Sequence, residues 1–380
     1  FKKIKKMENK KKFNHEDGTT NIHPVWSPSA KKFAFLSNKD NDYFSQTDLY
    51  VYSFSDSSIK KVVAGVQKAP TWMNDSTIIF SKRSKPDING SKFYDLYSIS
   101  LNDNDKEPKR LTHSARLYSP IYVSELNKIV AINIYDGTSN IYVSDADSIN
   151  FSSITDFDNG TYLSSLSWNG SKIFADGVTN HTNNLYSFDI ETGDFTLEMY
   201  NSWDDRDFDN NRSRNIYSRD KSGVFNLFYY DEDKAGYITN VPGGAFMPSI
   251  SNDGRILFSE YIDGGYKISL LDSVKVISTN DVGYSENNFL NIPKSIPITN
   301  SNNVSAKPYN DSMSKLSLMP RIMIDYKTVK PGFYFMSNDY LDKLSIFGGV
   351  SANLDLDLDL FLTFEFKKYW PTFYSNFFWV

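Results

Sequence analysis

The residue types that most often perform acid–base, nucleophilic or metal chemistry are sparse in this chain of 380 residues. Cysteine is absent, and the four histidines are scattered at His15, His23, His113 and His181. No His-Glu-x-x-His pattern places two zinc ligands on one helix face. The sequence that comes nearest to a Gly-x-Ser-x-Gly nucleophile elbow, residues 349–353, lies in an apolar stretch typical of a strand. We therefore expect no catalytic, cofactor-binding or metal-binding residue in this segment.

One charged cluster could bind a partner, the run from Asp204 to Asp209 that follows Trp203. Carboxylates beside an aromatic ring could coordinate a cation or bind a basic protein, because exposed aromatic residues among charges are common at interfaces. The alternative is a solvated loop in which Arg206 pairs with its acidic neighbours, as surface ion pairs often do. The candidate interaction residues are Trp203, Asp204, Asp205, Arg206 and Asp207.

A phrase that recurs about every 45 residues surrounds this cluster and predicts the architecture. The first copy contains His23-Pro24-Val25-Trp26-Ser27-Pro28 and Asp48-Leu49-Tyr50-Val51. The second contains Ala69-Pro70-Thr71-Trp72, Asp95-Leu96-Tyr97-Ser98 and Arg110-Leu111-Thr112. Four weaker copies begin near residues 119, 166, 207 and 247. Six units are therefore expected.

Each unit contains four short runs of β-branched and aromatic residues, separated by Gly, Asn, Asp, Ser and Pro. Four strands at this period are typical of the blade of a β-propeller, which is stable only when stacked on its neighbours. We expect Trp26, Trp72 and Tyr122 to pack between blades, and we place the cluster at 204–207 at one mouth of the central channel. Either Phe13 or residues 274–278 could supply the strand that closes the ring.

The order Pro-x-Trp-Ser-Pro, apolar strand, Asp-Leu-Tyr and Leu-Thr resembles the repeat of TolB-like propellers, which are six-bladed periplasmic proteins of the Tol system. Similar propellers occur in prolyl-oligopeptidase-type peptidases. The resemblance covers residues 11–279. The usual Ser-Pro-Asp-Gly turn is replaced by Ser27-Pro28-Ser29-Ala30 in the first unit and by Ser251-Asn252-Asp253-Gly254 in the sixth.

Composition and the N-terminus narrow the function further. A formal net charge of −5 lacks the basic balance of a nucleic-acid-binding protein, and we expect no nucleic-acid partner. Residues 1–10 form a lysine-rich tail without the apolar run of a secretory signal. We expect this tail to be solvated, and an arm that binds anionic lipid is the alternative. Because residue 1 is not Met, we expect a segment of a longer protein.

The periodicity changes after residue 279. Residues 280–312 are rich in Asn, Ser and Pro and are predicted to form a linker. Strict alternation follows over residues 353–366, with Asp355, Asp357 and Asp359 on the face opposite the leucines. Such a strand suits a bilayer crossing, with lipid-facing residues Leu354, Leu356, Leu358, Leu360 and Leu362.

Two other interpretations of this segment are a calcium loop and a soluble β-sandwich hairpin. Calcium loops need Gly and a closing Glu at fixed places and do not alternate with leucine. Amphipathic strands also occur in sandwiches, but the length of this one and the aromatic residues at 369–379 favour the bilayer.

Residues 309–380 also resemble the opening strands of outer-membrane barrels of the bacterial surface antigen type, the BamA-like group. The resemblance implies a barrel that continues beyond Val380, since a small barrel needs about eight strands. The predicted fold is therefore all-β: a six-bladed TolB-like β-propeller (11–279), a linker (280–312) and amphipathic antiparallel strands of an incomplete outer-membrane-type β-barrel (313–380).

Two functions follow from this organisation. The first is a non-catalytic module in which the propeller, on the periplasmic side of a bacterial outer membrane, binds a protein or polymer partner at its rim or channel while the C-terminal strands contact lipid. The second is the accessory propeller of a metallopeptidase or prolyl-oligopeptidase-type enzyme whose catalytic domain lies outside this segment.

Overall fold

The computed structural model describes residues 10–13, 19–102, 107–158, 160–179, 182–199, 201, 203–284, 308–309, 312–325 and 328–379. Its regular structure is antiparallel β-strand throughout, apart from the short 3-10 helix Thr279–Asp281. The chain divides into two compact units between residues 290 and 291. The predicted all-β class is confirmed.

The first unit contains six four-stranded sheets, which we number as blades in chain order. The first strand of the chain, β1 (Lys10–Phe13), belongs to the last blade. Blade 1 comprises β2 (Asn21–Trp26), β3 (Lys32–Ser37), β4 (Asp48–Ser53) and β5 (Ile59–Val63). Blade 2 comprises β6 (Thr71–Asn74), β7 (Thr77–Arg83), β8 (Tyr94–Ser100) and β9 (Lys109–Arg110). Blade 3 comprises β10 (Leu117–Val123), β11 (Lys128–Tyr135), β12 (Thr138–Asp145) and β13 (Ser152–Ser153).

The remaining blades follow the same order. Blade 4 comprises β14 (Tyr162–Trp168), β15 (Ile173–Thr179), β16 (Thr182–Phe188) and β17 (Phe195–Met199). Blade 5 comprises β18 (Asp205–Asn211), β19 (Arg214–Arg219), β20 (Asn226–Tyr230) and β21 (Ala235–Tyr237). Blade 6 comprises β22 (Ala245–Ile250), β23 (Ile256–Ile262), β24 (Gly265–Leu271) and β1. The first strand of each blade contacts the first strand of the next, and β22 contacts β2, so the sheets form a closed ring. The first unit is a β-propeller.

The ring is closed by the N-terminal strand. Strand β1 pairs with β24, and Lys10 donates to both carboxylate oxygens of Glu260 at 2.8 Å. The Phe13 ring lies 5.3 Å from Phe33 and 5.0 Å from Tyr52 of blade 1. Of the two segments that the sequence left open, Phe13 therefore closes blade 6 and also ties it to blade 1. The other segment forms a bridge between Ile277 and Tyr237 in blade 5.

Hydrogen bonds explain why the Asp/Asn-Leu-Tyr and Leu-Thr parts of the phrase recur together. In blade 2 the Thr112 hydroxyl donates to Asp95 and accepts from the Leu96 N–H, both at 3.0 Å. Blades 3 and 5 repeat this arrangement with Asn140–Thr155 and Asn226–Thr239. The buried carboxyl or amide thus anchors the turn that leads to the next blade, which is why these residue types recur at this spacing.

The Xaa-Pro part of the phrase lies at a bulge. The pairing of the innermost strand with its neighbour is irregular in all six blades. His23, Ser119 and Met247 have φ near +50° there, and a proline follows each of them. A bulge interrupts the ladder, so a residue without an N–H is tolerated.

The aromatic residues predicted to pack between blades have different environments. Trp26 is 7% exposed and donates its indole N–H to the Ser249 carbonyl of blade 6 at 3.1 Å. Trp72 is 5% exposed and donates to the Val25 carbonyl of blade 1 at 3.0 Å. Tyr122 is half-buried, and its hydroxyl donates to Asn127 of its own blade at 2.9 Å.

Residues 279–284 extend the propeller beyond the predicted boundary at 279. The Gly283 N–H donates to Asn240 at 3.1 Å, and the Tyr284 N–H donates to the Ser222 carbonyl at 3.2 Å. Val282 is buried at 1% exposure. Most of the predicted linker and residues 1–9 of the predicted tail lie outside the described residues.

The second unit contains one five-stranded antiparallel sheet in sequential order. Its strands are β25 (Ser317–Asp325), β26 (Thr328–Asn338), β27 (Leu344–Ala352), β28 (Leu358–Phe366) and β29 (Phe373–Trp379).

The predicted strand over 353–366 is too long at its N-terminal end. Residues 353–357 form a turn, in which Leu356 has φ +63° and the Asp357 N–H donates to the Asn353 side chain at 2.9 Å. Leu354 and Leu356 lie in this turn, whereas Leu358, Leu360 and Leu362 lie on β28. The prediction was wrong there because Asn and Asp side chains can bond nearby backbone and compete with strand pairing.

Candidate functional site

The candidate cluster lies at the N face, which we define as the face of the propeller where the six innermost strands begin. Strand β18 begins at Asp205, directly after Asp204. His23, at the bulge of β2 that corresponds to Asp207 in β18, is half-buried. Desolvation, together with the positive charges of Lys68 and Arg206, lowers the pKa of His23 to about 4. Three innermost strands and their leading loops therefore bring these groups together at the channel mouth.

The two acidic residues at the start of the cluster hold the blade together. Asp205 is 3% exposed and accepts two bonds from the Arg219 guanidinium, at 2.8 and 2.9 Å. Asp204 donates its N–H to the Asp220 carboxylate at 2.9 Å. Asp205 is occupied by a bidentate pair within its own blade, so it is not free to bind a partner.

Arg206 and Asp207 lie at the bulge of β18. The Arg206 guanidinium lies 5.4 Å from the Phe225 ring and 5.8 Å from the Phe246 ring, and it contacts Asp207 at 3.7 Å. Asp207 accepts the Met247 N–H of blade 6 at 3.0 Å, and burial raises its pKa. Arg206 is therefore the member of the pair whose side chain is the more exposed, at 40% against 16%.

Trp203 lies beside two cations rather than at a free surface. Lys221 Nζ lies 4.3 Å from its ring centroid and Arg219 lies 5.7 Å from it. Cations over an indole face are attracted by the ring quadrupole. The structure thus brings the five candidate residues together, and Arg206, paired with Asp207 only at 3.7 Å and 40% exposed, is the member best placed to contact a partner.

Sequence reasoning missed a second cluster on the N face, which we call the cation pocket. It is a cavity of about 250 Å³ whose cations are Lys68, Lys92 and Arg116 and whose aromatic walls include Phe93, Tyr118 and Tyr162. These residues come from the loops that lead into β6, β8 and β10 and from the first residues of β10 and β14. No local motif connects them, although Lys68, Tyr118 and Arg206 share one place in repeats 2, 3 and 5, just before the bulge position.

The cation pocket adjoins a larger groove along blade 3, which we call the acidic groove. It encloses about 970 Å³, and Asp136, Asp156 and Asp158 line it together with Arg116. The Arg116 guanidinium lies 4.9 Å from the Phe93 ring and 5.6 Å from the Tyr135 ring, one ring on each side of the boundary. Arg116 therefore stands where the two cavities meet.

The serine nearest to a nucleophile motif is a strand residue of the second unit. Ser351 lies in β27, opposite Gly332 and Asp359. A Cβ at Gly349 would lie 2.5 Å from the Phe361 ring, so glycine is needed there for the ring to cover the backbone. The Gly-x-Ser spacing reflects aromatic packing in the sheet.

Two kinds of feature are absent from the described ranges, a metal-ligand cluster and a membrane-spanning helix. No group of three or more His, Asp or Glu side chains in the described ranges is arranged to hold a metal ion. No helix in the same part of the chain has the length and apolarity to cross a bilayer.

No protein-family model and no curated protein matches the sequence. Solved structures with a similar arrangement of strands include the β-propeller domain of the trilobed protease from Pyrococcus furiosus, at 13% identity and a TM-score of 0.46 over 67% of this chain and 82% of that one. TolB from Acinetobacter baumannii has 14% identity and a TM-score of 0.43 over 77% of this chain and 73% of its own. The acylaminoacyl peptidase of Pyrococcus horikoshii has 13% identity and a TM-score of 0.47, and the chain covers 50% of its length.

Proposed function

We propose that this chain is a non-catalytic binding module, a TolB-like propeller that is held on the periplasmic side of a bacterial outer membrane by the strands of a β-barrel. The observation that carries the proposal is that one face of the sheet of the second unit is apolar and holds no charge, while every charged residue of its strands lies on the other face. The propeller would present its N face to a protein or polymer partner.

The pairing registers place large apolar residues from all five strands, and no charged residue, on one face of the sheet, which we call the apolar face. Its members include Leu318, Ile322, Ile324, Val329, Phe333, Leu358, Leu360, Leu362, Phe373, Phe377 and Trp379. Ile322 and Ile324 are 74% and 75% exposed. An exposed apolar face of this extent marks a contact with protein or membrane.

The opposite face carries the charged side chains of the strands, together with aromatic rings such as Phe347 and Phe361. Lys330 and Asp359, on β26 and β28, are buried and form an ion pair at 3.0 Å. Arg321 of β25 lies 5.3 Å from the rings of Tyr334 and Phe361. Apolar residues outward and polar residues inward are typical of transmembrane barrels, and the strands have 7 to 11 residues where a crossing needs about 9–11.

The second candidate function is the accessory propeller of a peptidase. The observation that favours it is the closed ring of six innermost strands with Lys68, Arg206 and His23 at its mouth. Such a mouth would restrict which chains reach a catalytic domain beyond the propeller. A peptidase activity of the natural full-length protein that is altered by Arg206→Ala would support this alternative.

Cell fractionation tests the main proposal. We expect the natural protein to remain in the outer-membrane fraction after extraction with urea, and to migrate differently on gels before and after boiling, because closed barrels resist detergent. Recovery in the soluble periplasmic fraction, with migration insensitive to heat, would overturn the membrane part of the proposal.

A further inference from the structure

We propose that the cation pocket and the acidic groove together bind the C-terminal end of an extended peptide, with the terminal carboxylate and an apolar last side chain in the pocket and a basic residue upstream in the groove. The inference rests on the proposed docking function and names the partner class and the place on the N face where that partner binds.

The first step of the argument is the charge of the pocket. Lys68, Lys92 and Arg116 line the pocket and form no ion pair with the described residues, and Lys68 and Arg116 contact aromatic rings. Lys68 Nζ lies 5.5 Å from the Tyr118 ring centroid. Lys68 is half-buried, and Lys92 and Arg116 are exposed at the rim. Three like charges around one cavity with aromatic walls and no carboxylate favour an anionic ligand, since an anion is attracted by all three.

The second step is the shape and polarity of the walls. Phe93, Tyr118 and Tyr162 surround the cations, and the exposed fraction of Tyr162 is 40%. The cavity of about 250 Å³ accommodates a group the size of one large amino-acid residue. A bare phosphate or carboxylate would leave the aromatic walls uncovered. A C-terminal apolar residue brings an apolar side chain and a carboxylate to the same place, which an internal Asp or Glu does not.

The third step is the groove beyond Arg116, which has the opposite charge. Asp136, Asp156 and Asp158 line it, and none of them forms an ion pair with a described residue. A polyanion such as an acidic polysaccharide would fill the pocket but would be repelled along the groove. A peptide whose end is anionic and whose upstream residues are basic matches both cavities.

Binding of a peptide array to the full chain in detergent tests the inference. The array contains heptapeptides with free C-terminal carboxylates and random last four residues, and every member is also present as its C-terminal amide. We expect the bound peptides to end in an apolar residue, to carry Lys or Arg two to four places upstream, and to lose at least about tenfold in affinity when amidated, because a charge-assisted hydrogen bond is lost.

Substitutions in the cation pocket and in the acidic groove test where the peptide binds. Lys68→Met and Arg116→Gln should each weaken binding of the selected peptide acid by about tenfold or more while leaving binding of its amide unchanged. Asp156→Asn with Asp158→Asn should remove the preference for an upstream cation. Lys85→Gln, an exposed lysine on the same β7–β8 loop as Lys92, is the matched control and should have no effect. Unchanged thermal unfolding of Arg116→Gln verifies that the fold is intact.

The outcomes separate this inference from the proposed function. Peptides that bind equally as acids and amides, or that are insensitive to Lys68→Met and Arg116→Gln, would overturn the pocket assignment and leave the docking function standing. Binding of polygalacturonate that is lost in Lys68→Met, without peptide binding, would replace the peptide by an acidic polymer. If neither the array nor polygalacturonate binds, both the pocket and docking at the N face are wrong.

Discussion

The propeller and the C-terminal sheet are both antiparallel β, but they differ in the exposure of their apolar side chains. Leu36, Ile78 and Phe258 of the propeller are 0% exposed, because neighbouring blades cover both faces of each sheet. Ile322 and Trp379 of the second unit are 74% and 61% exposed on a face that spans all five strands.

This difference shows which contacts bury the apolar side chains of each unit and so stabilise it. A blade buries its faces against copies of itself, so the repeat is sufficient for a soluble core. The apolar face of the second unit has no such repeat partner among the described residues, and in water it would be a liability for aggregation. The four predictions that follow test this contrast by changing one unit at a time.

The largest effect is expected from breaking the packing between two blades. Trp72→Ala should lower the free energy of unfolding of the propeller by about 3–5 kcal/mol, because it leaves a cavity and removes the indole bond to the Val25 carbonyl. Urea unfolding followed by circular dichroism measures the change. Trp370→Ala, at a residue 95% exposed, is the control. A loss below about 1 kcal/mol would mean that the ring contributes little to blade packing.

A charge on the apolar face should make insertion of the second unit into a membrane less favourable. Leu362→Arg is expected to cost about 2–4 kcal/mol of membrane insertion, whereas Thr363→Arg, one residue along β28 and on the opposite face, should cost far less. Folding into lipid vesicles, followed by heat-modifiable migration, measures both variants. Equal effects at the two positions would contradict the assignment of faces.

Weakening the contact by which β1 closes the ring should lower the free energy of unfolding of the propeller and leave the second unit unchanged. Phe13→Ala removes the ring that joins blade 6 to Phe33 and Tyr52, and since this ring is half-buried we expect a loss of about 2 kcal/mol. Lys11→Ala, whose side chain is 67% exposed, is the neighbouring control. Hydrogen exchange should show faster exchange in β24 for Phe13→Ala, and protection equal to that of the unchanged chain would argue against closure by β1.

The last of the four effects concerns a half-buried carboxyl and appears only above the pH at which the unfolded chain ionises it. Burial raises the pKa of Asp209 from 3.8 to about 7, and its carboxylate accepts the Ile250 N–H of blade 6 at 2.8 Å. The unfolded chain ionises this group from about pH 4 while the folded chain holds the proton, so the free energy of unfolding should fall as pH rises from 4 to 7 and then level off.

Asp209→Asn should therefore stabilise the propeller at pH 8 by about 1–3 kcal/mol and leave it unchanged at pH 4, because each unit of pKa shift corresponds to about 1.4 kcal/mol. Urea midpoints at the two pH values measure the difference. The exposed Asp263→Asn should show no such dependence. A gain of equal size at pH 4 and pH 8 would rule out ionisation as its cause.

The propeller could be predicted from the sequence because its determinants are local and repeated. Each Asp/Asn-Thr pair bonds within one unit, and the Xaa-Pro bulge recurs at the same place in blades 1, 3 and 6, so the repeated pattern predicts the local structure. The closing strand could not be chosen, because Phe13 and residues 274–278 have equally strand-like compositions and the choice depends on a partner about 250 residues away.

The sites were harder to predict because they depend on positions in space. In the sequence Asp205 has the appearance of a free carboxylate in a charged run. In the structure the register of β18 with β19 places Arg219 opposite it. Lys68 and Arg116 are almost 50 residues apart and meet only after two blades have stacked. Leu354 and Leu356 continue an alternation of period two that the turn at 353–357 interrupts, and alternation alone does not reveal a turn.

The most direct test of the contrast between the two units is a spin-label scan of β28 in a lipid bilayer, which the absence of native cysteine makes simple. Single cysteines from Leu358 to Phe366 and one at the exposed propeller residue Tyr43 are labelled in the full chain, and collisions with oxygen and with a water-soluble nickel chelate are measured. We predict oxygen accessibility that peaks at Leu358, Leu360, Leu362, Phe364 and Phe366, and chelate accessibility at Tyr43. High chelate accessibility without alternation along β28 would contradict the account.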